Sequence, residues 1–148
     1  MFKKISIPVS LALFLFLAGS FRPVAEEGIK LSVTNLRSDR GFVLVSLFKD
    51  GVGYPDDAKK AFKTAKVSIL DKKASVLFPG LPTGTYAISI LHDENNDQRM
   101  NKSFLGLPKE GYGFSNNAIG AFGPPGLSRA SFRHTQNALT QVTIRTKY

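Results

Sequence analysis

The chain has no cysteine and no tryptophan, and only two histidines among its 148 residues. Without cysteine there can be no disulfide, no thiolate nucleophile, no Cys-ligated zinc and no lipid anchor on Cys. The same absence fits an exported protein that avoids thiol chemistry. His92 and His134 leave little material for acid–base catalysis or metal ligation. Long apolar runs are also scarce. The longest, Ile5 to Ala18, covers about fourteen residues, short of the roughly 20 that a permanent membrane-spanning helix needs.

That run carries the marks of a secretory signal. Lys3 and Lys4 precede it, and Ala18-Gly19-Ser20 and Pro23-Val24-Ala25 offer small residues for cleavage. Leu17-Ala18-Gly19-Ser20 is shaped like a lipoprotein box, but Ser20 stands where the lipidated Cys belongs. The division expected is a signal peptide over 1–25 and one domain over 26–148. About 125 residues suffice for one core without disulfides or metal.

Acidic charge is in the minority, with 20 Lys and Arg against 11 Asp and Glu. Removing residues 1–20 takes away Lys3 and Lys4 and lowers the net charge of +9 by two, to +7. Lys59, Lys60, Lys63, Lys66, Lys72 and Lys73 form the densest basic cluster. Such a cluster either meets an anionic partner or is a solvated face, and the solvated face is the preferred reading. Nucleic acid is not expected, because no recognition motif accompanies the charge.

Alternation of apolar and polar residues predicts strands at Ile29–Val33, Ala74–Phe78, Thr85–Leu91 and Leu139–Arg145, with a short one at Ser131–His134. Phe42–Phe48 is apolar on both faces and predicts a central strand. Asn35–Gly41 reads as a hairpin turn, and Pro79–Gly84 as a turn rich in Pro and Gly. Ala58, Ala61, Phe62 and Ala65 share helical spacing, so a short helix capped by Asp56 or Asp57 and running to Lys66 is predicted. Asp93–Arg129 shows little periodicity but carries Phe104, Tyr112, Phe114 and Phe122, which predicts a long ordered loop. The fold class is all-β: a single antiparallel β-sandwich of about seven strands, transthyretin- or immunoglobulin-like, with one short helix.

Phe78-Pro79-Gly80-Leu81-Pro82-Thr83-Gly84-Thr85-Tyr86 resembles the turn that leads into a core strand in transthyretin-like and carboxypeptidase-regulatory-like sandwiches. Gly84–Asn95, Leu105–Asn117 and Phe122-Gly123-Pro124-Pro125 together resemble the domain-of-unknown-function 2141 family of exported bacterial proteins. The resemblance spans about Ile29 to Ile144 and implies export and a seven-strand-type sandwich. It implies no activity.

Asp93, Asn95, Asp97, the Arg99 carbonyl and Asn101 fall on positions 1, 3, 5, 7 and 9 of a calcium loop of the EF-hand kind. Gln98 replaces the turn glycine, Asn101 brings no charge, and Phe104 stands where a bidentate Glu belongs. A weak Ca²⁺ site therefore competes with a loop in which Asp93, Asn95 and Asn96 cap turns. His92, Glu110, Tyr112, Ser115 and Asn116 are the candidate ligand-contacting residues, and Tyr112 and Asn116 are those expected to be exposed. The other aromatics of the loop are expected to cover the end of the sandwich as a small core. A zinc site from His92 and His134 lacks metal-ligand spacing. Ser115 lacks the G-x-S-x-G context of a hydrolase.

The function expected is non-enzymatic binding or scaffolding in the cell envelope, with a protein or carbohydrate partner and no required cofactor. The alternative is an extracytoplasmic hydrolase using His92 with Ser115 or Glu110.

Overall fold

The computed structural model describes residues 26–148, so the expected signal segment lies outside the described residues. Eight strands form two sheets. Strands β1 (Gly28–Thr34), β4 (Ala74–Phe78) and β8 (Leu139–Arg145) make the first, in the order β4-β1-β8. The second runs β3 (Lys63–Ser68), β2 (Phe42–Lys49), β5 (Gly84–Asp93), β6 (Gly111–Phe114), and β7 (Phe132–His134) pairs with the start of β5.

The two sheets share one core. Ile29, Leu31 and Val33 of β1 and Val142 and Ile144 of β8 meet Val43, Val45 and Leu47 of β2 and Tyr86, Ile88 and Ile90 of β5. Each set sits at every second residue, as a strand with one core face requires. The other face of the second sheet carries a smaller cluster, in which Ala87, Phe114 and Ala130 pack with Tyr54, Tyr112 and Ala118. Phe48 contributes an edge-on ring contact to Tyr54 at 5.6 Å. This second cluster explains why Phe42–Phe48 reads as apolar on both faces.

Four expectations need correction. Pairing is not wholly antiparallel: β1 and β8 run parallel, Leu31 opposite Val142 and Val33 opposite Ile144. Residues 35–41 are not a hairpin turn, because β1 and β2 lie in different sheets and the segment crosses between them. The helix ending at Lys66 is absent. Asp57 caps a single 3-10 turn, Ala58–Lys60, and the chain then enters β3. Ala65, Val67 and Ile69 have a period of two and lean on the core, which outweighs the helical spacing of the alanines upstream. Thr64, Lys66 and Ser68 on the opposite face are exposed, as is Lys63 at the start, and they keep this edge strand in water. Finally, the long irregular segment contains β6, a 3-10 turn at Ser115–Asn117 and the one described α-helix, α1 (Leu127–Ala130). Its aromatics divide: Phe114 is buried and Tyr112 partly so, while Phe104 and Phe122 are fully exposed.

Candidate functional site

The C-terminal end of β5 delivers His92 and Asp93, and the loop after it folds back on them. Both carboxylate oxygens of the buried Asp93 accept backbone N–H groups, from Asp97 at 3.2 Å and Gln98 at 3.0 Å. The Asn95 side chain accepts from the Asp97 N–H, and Asp97 accepts from the Arg99 N–H. The side-chain amides of Asn95 and Asn101 both donate to Asp97 Oδ2, at 3.0 and 2.8 Å. Asn101 first among these donors holds the Asp97 carboxyl below the usual carboxylate range. Asn96 and Gln98 take left-handed backbone conformations, with φ of 63° and 60°. Gln98 thus adopts the turn that the glycine of a calcium loop would make.

Glu110 closes this loop at its base. It is 4% exposed, and its two oxygens accept the N–H groups of Glu94 (3.1 Å) and Asn101 (3.0 Å), tying both ends of the excursion to β6. Arg37, from the crossing between β1 and β2, forks onto the Glu94 carboxylate and donates to the Lys109 carbonyl. Ser38 donates to the same carboxylate at 2.8 Å. Arg37, with Ser38 behind it, holds the Glu94 carboxyl below the usual Glu range, and Glu94 in turn raises the Arg37 guanidinium.

Behind this pair sits Tyr148. Its ring lies 4.5 Å under the Arg37 guanidinium, its hydroxyl accepts the Arg37 N–H at 2.9 Å, and burial raises its pKa. The same hydroxyl lies 2.7 Å from His92 Nδ1, and His92 Nε2 lies 2.9 Å from the Arg40 carbonyl. A carbonyl only accepts, so Nε2 carries the imidazole proton and Nδ1 receives the Tyr148 O–H. His92 is therefore a buried structural residue with both nitrogens in use.

These pieces frame an open cleft of about 540 Å³, lined among others by Arg37, Arg40, Glu94, Lys102, Lys109 and Glu110. Both carboxylates are engaged in the contacts above. Arg40, Lys102 and Lys109 are exposed, and among the described residues none of the three forms an ion pair.

The segment Gly111–Asn117 locks β6 against its neighbours. A Cβ on Gly113 would come within 2.6 Å of Ile144 Cγ2, and one on Gly111 within 2.5 Å of Thr146 Cγ2. Only glycine lets the two sheets approach so closely here. The Ser115 hydroxyl, wholly buried, accepts the Ile88 N–H at 2.9 Å and faces the Ala130 carbonyl. Asn116 donates to the Arg129 and Ser131 carbonyls. Asn117 accepts the Arg145 N–H and donates to the Thr143 carbonyl, occupying the free edge of β8.

The chain matches, over residues 31–142, the family described as an uncharacterized protein conserved in bacteria (DUF2141). It belongs to that family. No curated protein and no solved structure matches it. The stretches that carried the family resemblance include the strand β5, the Glu110 staple and the Gly111–Asn117 lock.

Of the residues singled out from sequence, Asp93, Asn95, Asp97 and Asn101 come together, and Arg99 contributes backbone to the same loop. Among the described residues, no group of three or more His, Cys, Asp or Glu side chains gathers for a metal. Tyr112 is half-buried, whereas Asn116 is exposed but holds carbonyls. Ser115 and His92 share no hydrogen bond among the described residues, so the hydrolase alternative has no support. His134 pairs with Gly84 at the start of β5, eight residues from His92, which is about 26 Å along a strand and too far to share a zinc ion. Arg37, Arg40, Lys102, Lys109 and Tyr148 were missed. They come from three separate stretches of the chain, and no local pattern marks them as a set.

Proposed function

We propose that the protein is an exported, non-enzymatic binding module of the cell envelope, a transthyretin-like sandwich whose working end is the cationic cleft. The ligand class is an anionic group, a carboxylate or sulfate, on envelope carbohydrate or protein. One observation carries this reading: the cleft holds Arg40, Lys102 and Lys109 without ion-pair partners, while its two carboxylates are already engaged. Unpaired cations around a concavity attract and orient anions. The site offers no general base beside a nucleophile, which is why binding is preferred to catalysis.

The acidic loop serves as one wall of the cleft. Its donor set of two carboxylates, two amide oxygens and the Arg99 carbonyl binds Ca²⁺ only weakly, since N–H donors already occupy the carboxylate and amide oxygens and a cation has to displace them. Calorimetric titration with polygalacturonate or heparin tests the main reading. Binding that weakens by about tenfold or more in the Arg40→Glu, Lys109→Glu variant, with an unchanged melt, supports it. No binding of either polymer by the wild type, or equal binding by the variant, rejects it. For calcium, a melting shift at millimolar Ca²⁺ that is abolished in Asp97→Ala supports the weak site, and no shift removes it.

A further inference from the structure

Between Asn101 and Lys109 the chain makes a tight excursion away from the sheets. The Lys109 N–H donates to the Asn101 carbonyl at 2.8 Å, Lys102 and Pro108 pair as a bridge, and the Ser103 N–H donates to the Leu107 carbonyl at 2.7 Å. The turn closes with the Gly106 N–H on the Ser103 carbonyl and the Leu107 N–H on the Ser103 hydroxyl. A hairpin held by four hydrogen bonds has a defined tip, and the tip is apolar. Phe104 is 102% exposed, Leu105 79% and Leu107 62%.

Three large apolar side chains presented together on a rigid projection are costly in water and mark a contact surface. Lys102 and Lys109 stand on the two arms directly below them, Arg40 lines the adjoining cleft, and no acidic residue lies between Lys102 and Lys109. An apolar point above a collar of cations matches the layering of an anionic membrane surface, with hydrocarbon inside and phosphate outside. The shape also separates lipid from a protein partner. A protein would need a preformed groove for the tip, whereas a bilayer accepts a convex point and places negative charge around its base.

We propose that the hairpin Lys102–Lys109 docks the protein peripherally on a bilayer containing anionic lipid. Phe104, Leu105 and Leu107 enter the boundary between headgroups and acyl chains, and Lys102 and Lys109 contact lipid phosphates. This role does not depend on the cleft's soluble ligand, which is assayed without lipid.

The absence of tryptophan makes a direct test available. Phe104→Trp introduces the sole tryptophan at the tip. Leu70→Trp places one instead in the exposed turn between Leu70 and Lys73, as a control on the same chain. Each is mixed with vesicles of phosphatidylglycerol and phosphatidylcholine, with or without bromine on the acyl chains. Docking predicts a blue shift and bromine quenching for Phe104→Trp only. It also predicts binding weakened by about tenfold when Lys102→Glu and Lys109→Glu are added. An unshifted Phe104→Trp emission, or equal quenching of Leu70→Trp, would overturn the proposal. Loss of polymer binding by the Arg40→Glu, Lys109→Glu variant in lipid-free buffer speaks only to the cleft.

Discussion

At the scale of single residues, the end that frames the cleft is built largely from side chains that satisfy backbone. Asp93 and Glu110 together accept four N–H groups, and each is almost wholly buried. A buried carboxylate is tolerable when donors surround it. Glu94 differs, because its partner is a charge. Arg37 is half-exposed, so the pair contributes about 1 kcal/mol or less. The sign of its pH dependence follows from the lowered Glu94 pKa. A depressed folded-state value contributes stability above the unfolded value, about 4.3, and that stability is lost as pH falls from there through the folded value. Urea melts of wild type and Glu94→Gln should therefore differ most above the unfolded Glu value, about 4.3, and converge as the pH falls below it. A gap that widens on acidification would show that Glu94 is not held by Arg37 in this way.

At the scale of elements, legibility followed local period. The strands at Ile29–Val33, Ala74–Phe78 and Leu139–Arg145 announce themselves because one face is core and the other water, so alternation survives in the sequence. Strand β6 does not, because its inward positions are Gly111 and Gly113, which carry no side chain to read. β3 was masked by the alanines before it. The acidic loop was legible as a turn-forming run, but its staple was not: Glu110 reaches Glu94 and Asn101 only because β6 pairs beside β5. The loop's dependence on Asp93 is measurable. Asp93→Ala orphans the Gln98 N–H, leaves the Asp97 N–H with Asn95 alone, and should cost about 1–3 kcal/mol. Lys63→Ala, on the exposed edge strand, should stay within about 0.5 kcal/mol. Equal losses in denaturant melts of the two variants would mean that the loop does not rely on Asp93.

At the scale of the whole molecule, the parallel pairing of β1 with β8 decides how the fold is closed. The first sheet is assembled from residues near 30, near 76 and near 142, and β1 has β4 on one side and β8 on the other. Val142 and Ile144 fill the core opposite Leu31 and Val33, the Thr146 N–H bonds the Thr34 carbonyl, and Tyr148 completes the His92 and Arg37 network. The last ten residues therefore supply a strand, part of the core and the ring beneath Arg37 and against His92. Losing Val142 and Ile144 alone forfeits about 3–6 kcal/mol of apolar burial, comparable to the whole stability of a small domain. A chain ending at Ala138 should thus lack a cooperative thermal transition and show collapsed amide dispersion in its NMR spectrum. Adding the peptide Leu139–Tyr148 in trans should restore part of both, because β8 binds as a strand along the exposed edge of β1. A truncated chain that still melts cooperatively would show that the second sheet and β1–β4 hold a core without β8, and that the parallel pair is an addition to the fold instead of its closure.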